Sequence, residues 1–99
     1  MRPAPFDRAL ARSAALAGTM LSVERHRRVA WHSATFAGER HELVASAPSG
    51  EPLDRWLEQV ATHDLVMPGH LLADLKLAQC DRAGAITHLR IEGLTVATG

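Results

Sequence analysis

Apolar and polar residues alternate along two stretches of this chain, and the remaining segments read as elements that pair with those stretches or cover them. Over 67–98 (MPGHLLADLKLAQCDRAGAITHLRIEGLTVAT) one alternating run is followed by a polar break containing Gly84 and then a second alternating run. That pattern predicts a long β-hairpin. Side chains point to opposite faces along a strand, so the register has to set apolar residues against apolar ones. Pairing Gln79 with Ala85 across a loop of Cys80 to Gly84 sets Leu77 against Thr87, Leu75 against Leu89 and Ala73 against Ile91. The reverse face then carries Lys76 opposite His88 and Asp74 opposite Arg90. Gly93 marks a bulge in this scheme, because Leu94 and Val96 continue the apolar run in the opposite phase.

A second hairpin is predicted from Val29–Ala37 and Arg40–Ala47 around Gly38-Glu39, since glycine first in a two-residue loop suits a type II′ turn. It sets Phe36 against His41, Ala34 against Leu43 and His32 against Ala45, with Thr35–Glu42, Ser33–Val44 and Trp31–Ser46 on the reverse side. Neither face is cleanly polar, as a sheet solvated on one side would be. Thr19 to Arg25 supplies a further strand, joined to the hairpin by the basic connection Arg25-His26-Arg27-Arg28. Two helices flank these strands. Phe6 to Ala17 places Phe6, Leu10, Ala14 and Ala17 on one stripe and stops at Gly18, after an irregular arm over Met1 to Pro5. Glu51 to Thr62 has Pro52 in its first turn and Leu53, Trp56, Leu57, Val60 and Ala61 at the spacing of a buried face, with Trp56 as anchor. His63-Asp64 is expected to end it. The order α-β-β-β-α-β-β predicts one α+β domain over residues 1–99, an antiparallel sheet of about five strands with helices packed on one face.

Composition narrows the function classes. The 99 residues carry 11 basic and 11 acidic side chains and no formal net charge, which speaks against a nucleic-acid module. Hydrophobic residues make up 46% and charged ones 22%, ordinary for a folded chain. Cys80 is the single cysteine, so no intramolecular disulfide forms, and a reducing, cytoplasmic setting is expected. No run reaches the roughly 20 apolar residues that span a bilayer. Arg2, Arg8 and Arg12 precede Ala14-Ala15-Leu16-Ala17, a run too short and alanine-rich for an export signal, so this segment reads as helix.

Six histidines invite metal and acid–base readings. His63, Asp64 and His70 cluster around a turn but lack a fourth ligand, so neither metal nor cofactor is expected. His32 and His41 share one face of the second hairpin about 13 Å apart, which suits packed core or interface roles better than one catalytic site. Asp74 and His88 would form an acid–base pair if aligned, within a cluster completed by Lys76, Arg90 and Glu92. The competing reading is a solvated strand face of alternating charge. Arg25, Arg27 and Arg28 would suit an anion. The serines lie in no Gly-x-Ser-x-Gly setting, Cys80 stands between no activating groups beyond Arg82, and no phosphate-binding glycine loop is present. These features predict a non-catalytic domain acting through self-association, as a homodimer or with a protein partner, around Trp31 and Val44. The alternative is a small-molecule-binding domain or enzyme, with His32, His41 and nearby arginines lining a pocket between sheet and helices.

Overall fold

The computed structural model describes residues 3–62 and 65–98. Its elements are α1 (Phe6–Leu16), β1 (Ser22–His32), β2 (Ala37–Pro48), α2 (Glu51–Gln59) running into a 3-10 turn at Val60–Thr62, β3 (His70–Ala83) and β4 (Ile86–Ala97). The fold is α+β, with two helices and one antiparallel sheet ordered β1-β2-β4-β3. The sheet has four strands, not about five. The segments expected as separate strands before and after Arg25–Arg28 belong to the single strand β1. That stretch holds no glycine, proline or asparagine to turn it, and an edge strand leaves long charged side chains room on both faces.

Both helices start and stop where local chemistry directs. Asp7 in α1, and Glu51 and Asp54 in α2, sit at positive helix ends, and Pro52 occupies the first turn of α2 where no amide hydrogen is needed. Gly18, at φ +91°, follows the last turn of α1. His63 and Asp64, expected to close α2, lie outside the described residues.

Both hairpins form, with registers that differ from expectation. In the β1–β2 hairpin His32 faces Ala37, and the connection is Ser33–Phe36. There the Ser33 amide donates to the Phe36 carbonyl (2.8 Å) and the Phe36 amide to Ser33 Oγ (3.0 Å). A serine hydroxyl thus does the work assigned to Gly38-Glu39. Gly38 is instead a strand residue beneath Trp31, and a Cβ there would collide with the Thr95 carbonyl and the Trp31 ring. In the long hairpin Ala83 faces Ile86 across a two-residue turn in which Gly84 holds φ +62°. The longer loop was expected because Cys80–Arg82 reads as polar, yet these residues continue β3. The irregularities fall in the edge strands, between Leu72 and Asp74, between Leu77 and Gln79, and between Val23 and Arg25. Gly93 carries no bulge in its pairing with β2. At about 3.3 Å per residue, the 14 residues of β3 span about 46 Å, which matches the longest dimension of the molecule, 46 Å.

Alternation sorts the sheet into two unlike faces. On β2 and β4 the odd-numbered residues from Glu39 to Ala47 and from Thr87 to Ile91, together with Thr95, are buried, while the even-numbered ones beyond Gly38 are half-buried or exposed. Leu43, Ala45, Ala47, Leu89 and Ile91 share one apolar cluster with Phe6, Leu10 and Ala14 of α1 and Leu53 and Trp56 of α2. Trp56 is fully buried and its Nε1 donates to Ser13 Oγ of α1 (3.0 Å), so the two helices are bonded to each other. We call the odd-numbered side the buried face and the other the open face.

Candidate functional site

Two constellations stand out, one on each face. On the buried face, β1 brings in His26, its neighbour β2 brings in His41, and β4 brings in Thr95. His26 Nε2 and His41 Nδ1 are 2.8 Å apart, and His41 Nε2 lies 2.8 Å from Thr95 Oγ1. The Thr95 hydroxyl donates to the Glu39 carbonyl at 3.4 Å, and Arg28 Nη2 approaches His26 Nδ1 at 3.5 Å. Counting donors orients the chain. Because Thr95 gives its only proton to Glu39, it accepts from His41 Nε2–H, which leaves His41 Nδ1 to accept from His26 Nε2–H. His26 Nδ1 is then free to accept from Arg28. Both imidazoles are neutral in this arrangement.

Burial is the first cause of that neutrality. The His41 side chain is wholly enclosed and that of His26 is 6% exposed. Desolvation, with His26 and Arg28 adding to it against Glu39 and Asp7, lowers the pKa of His41 to about 4. His26 is lowered as well, by burial and then Arg28, while Asp7 at 3.8 Å and Glu39 oppose the shift. Phe6 stacks on His41 with ring centroids 4.4 Å apart and planes 19° apart, and His26 lies 5.1 Å from His41. Gly93 makes room for Phe6, since a Cβ there would stand 2.5 Å from its ring carbons. Glu39 Oε1 accepts the Ala4 amide at 2.8 Å and ties down the segment leading into α1. Each ring nitrogen has a partner and the Phe6 ring stacks over His41, so both imidazoles are engaged within the fold.

The open face is built differently. Its rows, read from β1 through β2 and β4 to β3, are Trp31–Gly38–Val96–Leu71, Val29–Arg40–Leu94–Asp74, Arg27–Glu42–Glu92–Lys76 and Arg25–Val44–Arg90–Gln79. Among the described residues, the ion pairs within 4.0 Å are His26–Asp7, His41–Glu39, Arg55–Glu51 and Arg82–Asp54, and none involves a charge of these rows. Val29 is 50% and Leu71 62% exposed. A shallow groove of about 350 Å³ crosses the centre of the face between Val29, Arg40, Lys76 and Leu94. The enclosed donors Trp31 Nε1 and Arg90 Nε, both from these rows, have no acceptor among the described residues.

The residues singled out from sequence fall as follows. Trp31 and Val44 are half-buried on the open face. His32 is exposed at the hairpin end, whereas His41 is packed and bonded, so the two share no pocket. Asp74 faces Leu94 and His88 faces Asp81, which corrects the register that aligned Asp74 with Arg90 and Lys76 with His88. Leu94 and His88 are six positions apart along β4, about 20 Å, so Asp74 and His88 form no acid–base pair. Arg90 lies between Val44 and Gln79. Arg25 and Arg27 are on the open face but Arg28 is on the buried one, opposite His41, which divides the anion-binding trio. His70 opens β3 opposite Ala97. No group of three or more metal-binding side chains is assembled among the described residues, and none of their helices is long and apolar enough to cross a membrane.

Sequence reasoning missed His26, Thr95 and Glu39. The signal was present once β1 is taken as continuous: His26 and Arg28 then alternate with Arg25 and Arg27, and the neighbouring strand carries His41. Comparison of the chain with protein-family models, with curated proteins and with solved structures returned no match.

Proposed function

We propose that this chain is a single, non-catalytic association domain whose working surface is the open sheet face. Both helices pack on the buried face, and that packing leaves the other side of the sheet uncovered. The observation that carries the proposal is the contrast in satisfaction between the two faces. The buried histidines are paired and closed over, while the open rows combine exposed aliphatic side chains with charges that form no ion pair within 4.0 Å among the described residues. Aromatic and aliphatic residues with arginine, here Trp31, Val29, Leu94 and Arg90, are the composition of protein interfaces. The exposed free thiol of Cys80 suits a reducing compartment and is the basis for placing the domain in the cytoplasm.

A photo-crosslinking side chain at position 29, on the open face, tests this against the same group at position 16, where Leu16 of α1 is 85% exposed. In source cells the first is expected to capture a polypeptide and the second none. Equal capture at both positions, or none at position 29, overturns the assignment.

A further inference from the structure

The charge pattern of the open face names its occupant. Two adjacent rows carry reversed signs on the same two strands: Arg40 and Asp74 lie in one, Glu42 and Lys76 in the next. Resting on the association function above, we propose that the open face docks on a second copy of itself about a two-fold axis perpendicular to the strands, passing between these two rows. Such an axis exchanges the rows. Glu42 meets Arg40 of the second copy and Lys76 meets its Asp74, and each pair occurs twice, because a two-fold interface repeats every contact. One row further out, Arg25 comes over the Trp31 ring of the second copy, a cation–π geometry, and Val44 lies over Gly38, where no side chain stands.

Other placements of the two-fold axis either set like charges together or, one row toward Trp31, set Arg40 on Gly38 and Asp74 on Leu71, where neither meets an opposite charge. An axis along the strands places Arg27 on Lys76 and Glu42 on Glu92. An axis centred on either row places every charge of that row on itself, and moving it one row toward Arg25 brings Arg25 onto Arg27. Like charges face to face discriminate strongly against such dockings. The selected one also leaves the strands of the two sheets antiparallel, within the aligned geometry that stacked sheets adopt. Four strands about 4.8 Å apart and four rows about 6.8 Å apart give a plan area of roughly 520 Å², and a corrugated surface exceeds its plan area. That approaches the roughly 800 Å² per partner of standard interfaces.

Sedimentation of purified chain carrying Arg40→Glu, Glu42→Arg, both together, or neither tests the arrangement, with circular dichroism as the folding control. The unsubstituted chain sediments as a dimer. Each single substitution sets like charges together and weakens the dimer by roughly tenfold or more. The double variant regains it, and an equal mixture of the two single variants forms heterodimers in preference to either homodimer. A dimer that ignores the single substitutions, or a double variant that stays dissociated, overturns the docking. A monomeric chain that instead holds a different protein, lost on Leu94→Asp, overturns self-docking while leaving the association function standing. Assembly unaffected by Leu94→Asp removes both.

Discussion

The two faces of one sheet solve opposite problems with similar residues. On the buried face, charge and imidazole sit beside Leu43 and Ile91, and every donor is spent: His26 on His41, His41 on Thr95, Thr95 on Glu39. On the open face Arg40, Glu42, Asp74 and Lys76 occupy adjacent rows yet form no ion pair among the described residues. A polar group under a phenyl ring has to find its partner within the fold, because leaving it unmet costs more than the bond contributes. A polar group on an uncovered face can wait for water or a partner. The difference separates residues whose polar groups are met inside the fold from those the fold leaves on its open face.

Breaking the buried side has the largest effect. Phe6→Ala removes the lid over both histidines and is expected to cost about 3–5 kcal/mol in denaturant unfolding. Acid acts next, and the sign follows from His41. Its pKa falls from 6.5 to about 4 on folding, so between those values the unfolded chain binds the proton more readily. The contribution is complete above pH 6.5 and is lost as pH falls toward 4, about 3 kcal/mol in all, with His26 shifting in the same direction. Urea titrations across that range measure it, and His41→Gln should flatten the slope. Gly93→Ala drives a methyl group into the Phe6 ring and is expected to cost about 1–3 kcal/mol. At the hairpin tip Gly84→Ala meets no neighbour, so only the strain of positive φ remains, about 1 kcal/mol. On the open face Val29→Lys should leave stability within about 0.5 kcal/mol of the parent while reducing association, the inverse of Phe6→Ala.

The elements were more legible than their pairing. Leu53, Trp56 and Val60 at helical spacing identify α2, and the alternation on both sides of Gly84 identifies the long hairpin. Registers were lost where a residue type has two uses. Gly38 reads as a turn residue, but its missing side chain accommodates Trp31, and Ser33 makes the turn with its hydroxyl. The irregularities beside Ala73 and Ala78 shift the phase of β3 without any glycine or proline to announce them. Basic clustering made Arg25–Arg28 resemble a loop, and that hid His26 and with it the histidine chain. Trp31 and Val44, expected on the same side of their hairpin, do share the open face, because that placement does not depend on the exact partner across the strand.

Native mass spectrometry of the chain taken from its source cells, wild type beside Val29→Lys, tests the division of labour most directly. The wild type is expected to carry a second polypeptide, its own copy by the charge pattern, with the variant released from it at unchanged circular dichroism. A wild-type monomer retaining a small molecule that His41→Gln discharges would contradict the account, for the closed face would then be the working one.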